Sequence, residues 1–176
     1  MFTKAVDDGL NLILLTPQNA DELYALIVKN RDHLHPWMEW PPETKSVKDT
    51  QQFIKTSLEG LAEHKEMVCG IEWQGHIAGV ITFNRIHHKL KKVELGYWVG
   101  KEQQGKGLVT RCINVMIDYA FNELHMEKVE IHVATGNVPS QNICKRLGFQ
   151  QEGIIRNAEN LHGNIVDHLV LSLIHI

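Results

Sequence analysis

Apolar positions recur along this chain in two periods, every second residue and every three to four, and the switches between them mark out the elements. Residues 10–15 form a short apolar run, interrupted only by Asn11, that predicts a first strand. Thr16 and Pro17 then open a helix to about Asn30, with Ala20, Leu23 and Ile27 on one face, because threonine caps and proline fits a first turn. A proline-rich, aromatic segment at 33–42 interrupts regular structure. Ser46 caps a second helix, on which Val47, Ile54, Leu58 and Leu61 fall at helical spacing. Strands at 67–73 and 76–86 flank Gln74 and Gly75, a hairpin signal, and another strand runs over 92–100. The helix predicted at 107–124 repeats Val109, Ile113, Met116 and Ala120 on one face. A strand at 128–134, a helix closed by Gly148, and strands at 150–156 and 165–173 complete the chain. That order of elements predicts one α+β domain over residues 1–176, with a mixed sheet.

A chain of 176 residues is long enough to bury a sizeable core as one unit. Its formal charge of −3 and pI near 6.4 speak against the basic face of a general nucleic-acid binder, so no direct nucleic-acid partner is expected. Cys69, Cys112 and Cys144 are odd in number and lack C-x-x-C spacing, which argues against a disulfide framework or zinc knuckle. The apolar run at 10–15 is too short for a signal peptide, and no run approaches membrane-spanning length, so a cytoplasmic protein without a membrane partner is expected. Eleven histidines make chance pairs common. Neither His87-His88 nor His33 with His35 has H-E-x-x-H spacing or an evident third ligand, and no metal is expected.

The chemistry is concentrated at 95–110. There the apolar, aromatic strand ending in Tyr97, Trp98, Val99 and Gly100 runs into a glycine-rich loop that opens a helix. Glycines let the backbone turn tightly and approach a ligand, and the first helical turn presents unpaired N–H groups at the positive end of its dipole. Such a loop is a phosphate-sized anion site. Gly100 to Lys106 fits the first seven positions of a Walker A P-loop. Gly107, however, stands where that motif needs a hydroxyl for Mg²⁺, and Thr110 comes three residues late.

Gln104-Gly105-Lys106-Gly107-Leu108-Val109 resembles instead the acetyl-CoA loop, Q/R-x-x-G-x-G/A, of the GNAT N-acetyltransferases, with Val109 where a small residue is commoner. A second segment decides between the two. Asn137, Ser140, Ile143, Arg146, Gly148 and Phe149 fall in register with the second GNAT signature, after a strand, as that family requires. Helix caps alone would explain the residue types but not this order and spacing. The resemblance implies a mostly antiparallel mixed sheet flanked by helices. It also implies acetyl-CoA as co-substrate, held by Trp98, Val99, Gln104, Gly105, Lys106, Gly107, Val109, Thr110 and Asn137.

The segment from Leu34 to Trp40, with Glu94 to Trp98 and Asp167 to Val170, is similar to the RimJ/RimL type, which acetylates amino-terminal serine or alanine of ribosomal proteins. That resemblance implies a protein amino terminus as acceptor, Trp37 and Trp40 as its contacts, and Glu94 as base. It also admits a homodimer. Rival acceptors are a polyamine, an aminoglycoside or an amino acid; rival functions are a non-catalytic acyl-CoA sensor and a nucleotide-binding module. Many GNAT enzymes place a tyrosine acid seven residues after the motif asparagine. Cys144 stands there, so Ser140 becomes the candidate donor to the departing sulfur, and Cys144 is either a structural thiol or an acetyl acceptor in a two-step route.

Overall fold

A computed structural model describes residues 2–176. The chain opens with a hairpin of β1 (Thr3–Asp7) and β2 (Leu10–Leu14), followed by α1 (Ala20–Lys29), the single turn α2 (Arg31–Leu34) and α3 (Val47–Ala62). An antiparallel meander of β3 (Met67–Trp73), β4 (His76–His87) and β5 (Lys92–Val99) comes next. After it, α4 (Leu108–Asp118) leads to β6 (Lys128–Ala134), and α5 (Val138–Arg146) to the hairpin of β7 (Gln150–Leu161) and β8 (Asn164–Ile174). The eight strands form one sheet in the order β1-β2-β3-β4-β5-β6-β8-β7, antiparallel at every junction but β5–β6. The expected α+β class, with a mostly antiparallel sheet between helices, is what forms.

Each face of the sheet buries its own core. Leu10, Ile71, Ile81, Phe83, Val93 and Leu95 pack against Leu108, Ile113 and Met116 of α4 and Cys144 of α5. On the opposite face Ile13, Leu15, Val68 and Val80 pack against Leu23 and Ile27 of α1 and Ile54 of α3. Each fully buried Leu or Ile contributes about 1.5–3 kcal/mol. Alternation along β5 therefore sends Val93 and Leu95 to the α4 side, and Trp98 to the α1–α3 side.

The parallel pairing of β5 with β6 lasts for only three pairs, ending at Glu94↔Glu130. Beyond it β5 stays with β4 as far as Val99, β6 stays with β8 as far as Ala134, and the two strands part. A register shift between Phe83 and Arg85 of β4 lies opposite Leu95 and Glu94, where the parting begins. A bulge there sharpens the strand's twist and turns β5 away from β6.

Glu130, at that last pair, is nearly buried. Burial alone would raise its carboxyl, but hydrogen bonds from Lys128 and Lys92 at 2.8 and 2.9 Å hold it down at about 2. Because the folded value lies below the ordinary one, this group's stabilisation is present above pH 4.5 and lost as pH falls toward 2. Glu130→Gln should lower stability by about 2 kcal/mol near neutral pH, with a smaller loss near pH 3, as denaturation midpoints would record.

Local departures from the expected elements have physical causes. β1 was not expected, because its side chains are almost all exposed and no apolar alternation marks them. Thr16 and Asn19 cap each other, so the helix expected from Thr16 begins with a 3₁₀ turn at Pro17–Asn19. The expected 107–124 helix ends its last turn in a π conformation at Tyr119–Glu123, while Ala120 remains buried as predicted. β7 runs five residues past Arg156, to a tight turn in which His162 and Gly163 both take positive φ. Among the described residues no helix is long and apolar enough to cross a membrane.

Candidate active site

Between β5 and α4 the chain makes a 3₁₀ turn at Lys101–Gln103 and then two left-handed steps, Gly105 at φ 73° and Gly107 at φ 70°. Side chains would be strained at both positions. Among the described residues, none of the amides from Gly105 to Thr110 has an acceptor within the protein. Six successive donors at a helix start make an anion cradle. Val109, whose bulk departs from the usual motif, turns its side chain into the core, so only its amide is left on this side. Gln104, Gly105, Lys106 and Gly107 are exposed; the Lys106 ammonium donates to Gln103 Oε1 at 3.0 Å.

A cavity of about 680 Å³ occupies the parting of β5 and β6 and reaches both faces of the sheet. On the α1–α3 side its walls are Trp37, Trp40, Phe53 and Trp98, with the Trp40 and Trp98 rings 5.8 Å apart. Glu94 lies where the strands separate, with its Oε1 3.8 Å from His132 Nδ1. Glu159 of β7 faces the same space, and its carboxylate accepts a hydrogen bond from His168 Nε2 at 2.9 Å. Glu39, Glu43 and Asp49 add three more carboxylates, and among the described residues no lysine or arginine lines the cavity. A cationic occupant is favoured there and an anionic one opposed.

On the opposite side Tyr97 and Ser140 meet across the gap, hydroxyl to hydroxyl at 2.7 Å. Asn137 caps α5 by accepting from the Ser140 amide at 3.3 Å, which fixes Ser140 in the first turn. Burial, the larger effect, pushes the Tyr97 phenol well above its ordinary range, so it stays protonated and can donate to Ser140. The fully buried Cys144 thiol lies one turn on and is pushed up by burial to about 11. Fewer than about one such thiol in a thousand is ionised at pH 7.5. That is a poor nucleophile.

The tryptophan loop is held from below. His162, in the β7–β8 turn, donates Nε2–H to the carbonyls of His35 and Met38, both at 3.0 Å, and its ring stacks on His35 at 3.7 Å. Trp37 therefore projects over Gly136 into the cavity from a fixed base.

Residues 10–150 match the family described as acetyltransferase (GNAT) domain. The chain is a GNAT acetyltransferase. Similarity extends past the matched region. YdaF of Bacillus subtilis (strain 168) is 32% identical over 99% of this chain and 96% of its own length. The ribosomal-protein-serine acetyltransferase of Escherichia coli (strain K12) is 27% identical, over 94% of this chain and 97% of its own. Among solved structures, the microcin C7 self-immunity acetyltransferase MccE, in complex with acetyl-CoA and AMP, superposes with a TM-score of 0.93. It is 32% identical to this chain and covers 97% of it and 94% of MccE.

Within this GNAT enzyme the expected residues divide between two regions. Gln104, Gly105, Lys106, Gly107, Val109 and Thr110 form the amide-lined loop, while Glu94, Trp98, Asn137, Ser140, Trp37 and Trp40 all line the cavity. The Trp98 ring belongs to the aromatic wall beside Trp40. Val99 is buried, leaving only backbone for a ligand. Sequence reasoning missed Tyr97, His132, Glu159, His168 and Phe53. Tyr97 had a signal, as a tyrosine on the strand leading into the loop. His168 lay within the Asp167–Val170 segment but without an assigned role, and Glu159 had no signal, because only the β7–β8 pairing brings the two together.

Proposed function

We propose that this enzyme acetylates the α-amine of a protein amino terminus, with acetyl-CoA as donor. The observation that carries the reading is the acid-lined, aromatic cavity through the sheet, with the unpaired amides of the glycine loop close by in the chain. Those amides fit the phosphates of acetyl-CoA, and the unpaired edge of β5 beyond Glu94 fits the amides of its extended arm. Bound there, acetyl-CoA supplies a thioester carbonyl. Relatives of similar length, one of them named for ribosomal-protein serine acetylation, support the acceptor class. An acceptor of that kind is met in the cytoplasm.

The chain's own groups have modest tasks. An α-amine has a pKa near 8, so freeing its lone pair at pH 7.5 costs below about 1 kcal/mol, whereas a lysine amine costs about 4. A weak carboxylate base, acting directly or through one water, is enough, and positioning does most of the rest. Glu94 takes that role, with Trp37 and Trp40 holding the peptide backbone. The Glu159–His168 pair favours a second reading of the base, because it faces the same cavity with its orientation already set. On the far side Ser140 offers its hydroxyl hydrogen to the sulfur as charge builds there, while Tyr97 donates to Ser140 Oγ.

Release of free CoA thiol with a panel of acceptors tests this. Peptides beginning in serine or alanine should react. Amino-terminally blocked lysine peptides should not. Efficient acetylation of spermidine with no peptide reacting would replace the acceptor by a small amine. Glu94→Gln should lower kcat while leaving acetyl-CoA affinity nearly intact. If Glu159→Gln does so and Glu94→Gln does not, the base is Glu159.

A further inference from the structure

We infer that Arg111 is a positioning residue for the donor site: it holds two carbonyls of the glycine loop on one side and so fixes the loop's amides on the other. Its Nη2 donates to the Lys106 carbonyl at 3.0 Å and its Nε to the Gly107 carbonyl at 3.3 Å. Its Nη1 meets both carboxylate oxygens of Asp7, at 2.7 and 2.6 Å, and the guanidinium carbon lies 5.6 Å from the centre of the Trp73 ring. One planar group thus ties the loop to the β1–β2 end of the sheet and to β3.

The consequence follows from peptide geometry. In a trans peptide the N–H of a residue points opposite to the preceding carbonyl. Fixing the Lys106 carbonyl orients the Gly107 amide, and fixing the Gly107 carbonyl orients the Leu108 amide. Both amides belong to the unpaired row. The Gly107 carbonyl also accepts the Arg111 backbone N–H at 3.1 Å, so the side chain adds a second hold there. The Lys106–Gly107 plane, flanked by two glycines that accept many backbone conformations, relies on the side chain alone. Held in advance, the amides need less ordering when phosphate arrives. The charge is a lesser part of the role, because Asp7 already pairs with the guanidinium. A lysine could not replace it, since a single ammonium cannot span two carbonyls and a carboxylate in one plane.

This deepens the reading of acetyl-CoA as donor and rests on it, so calorimetric titration of the wild-type enzyme with acetyl-CoA comes first. No binding there would overturn both. Given wild-type binding, Arg111→Ala and Arg111→Lys should each weaken acetyl-CoA by about tenfold or more, with acceptor KM and saturated kcat within about twofold. Asp7→Asn should weaken it in the same direction by less, and melting curves would show each variant folded. Dephospho-CoA should lose the same factor as CoA. Wild-type affinity in Arg111→Ala, full rescue by Arg111→Lys, or a loss seen with CoA but not dephospho-CoA would overturn the bracing role; the last would make Arg111 a direct phosphate ligand.

Discussion

Gly107→Glu should weaken acetyl-CoA binding by more than about a hundredfold, the sum of a strained backbone and a misplaced charge. Gly107 is the N-cap of α4 at φ 70°, a conformation that costs a residue with a Cβ about 1–2 kcal/mol. A carboxylate placed among six unpaired amides would also occupy the cradle that the phosphates need. Gly107→Ala separates the two contributions, since it carries the strain without the charge. It should lose about tenfold or less. Calorimetry with acetyl-CoA reads both variants, and the rise in melting temperature that ligand gives the native state provides a second measure. Tight binding by Gly107→Glu would remove the loop from the donor site.

Ser140→Ala should lower kcat by about ten- to a hundredfold while changing acetyl-CoA affinity little. The hydroxyl's value lies in a hydrogen bond that strengthens as charge develops on sulfur, so its loss appears in the rate more than in binding. The 2.7 Å contact with Tyr97 extends the expectation. Tyr97→Phe keeps the ring packing and removes only the donor behind Ser140, so its effect should be of the same kind and smaller. Cys144→Ala should stay active, because a buried thiol held near 11 is no nucleophile at neutral pH. Labelled acetyl trapped on Cys144 during turnover would contradict direct transfer.

The elements that bury an apolar face were legible before the structure. α3, β3, β4 and β6 lie within a residue or two of where their periodicity puts them, because burial of Ile54, Val68, Ile81 and Val129 is what holds them. β1 was not legible, since it is held by pairing with β2 rather than by side chains of its own. The glycine loop's shape was readable because it is written in local backbone demands, two left-handed glycines and a helix start. The cavity was readable only in part. Trp37, Trp40 and Glu94 stand out by type and place. Glu159, His168 and the His162 support of the tryptophan loop depend on how the β7–β8 hairpin folds back over distant segments, and no short-range pattern encodes that. Arg111 belongs to the same class, since its partner Asp7 is 104 residues away.

The central claim concerns which nitrogen receives the acetyl group, and one peptide decides it. A peptide with a free amino-terminal serine and an internal lysine, incubated with enzyme and labelled acetyl-CoA, should carry a single acetyl group, which fragment mass spectra would map to the serine α-amine. The deprotonation cost, about 3 kcal/mol greater for lysine at pH 7.5, favours that outcome before any contact is counted. Label on the lysine side chain, or an unmodified peptide beside efficiently acetylated spermidine, would contradict the account.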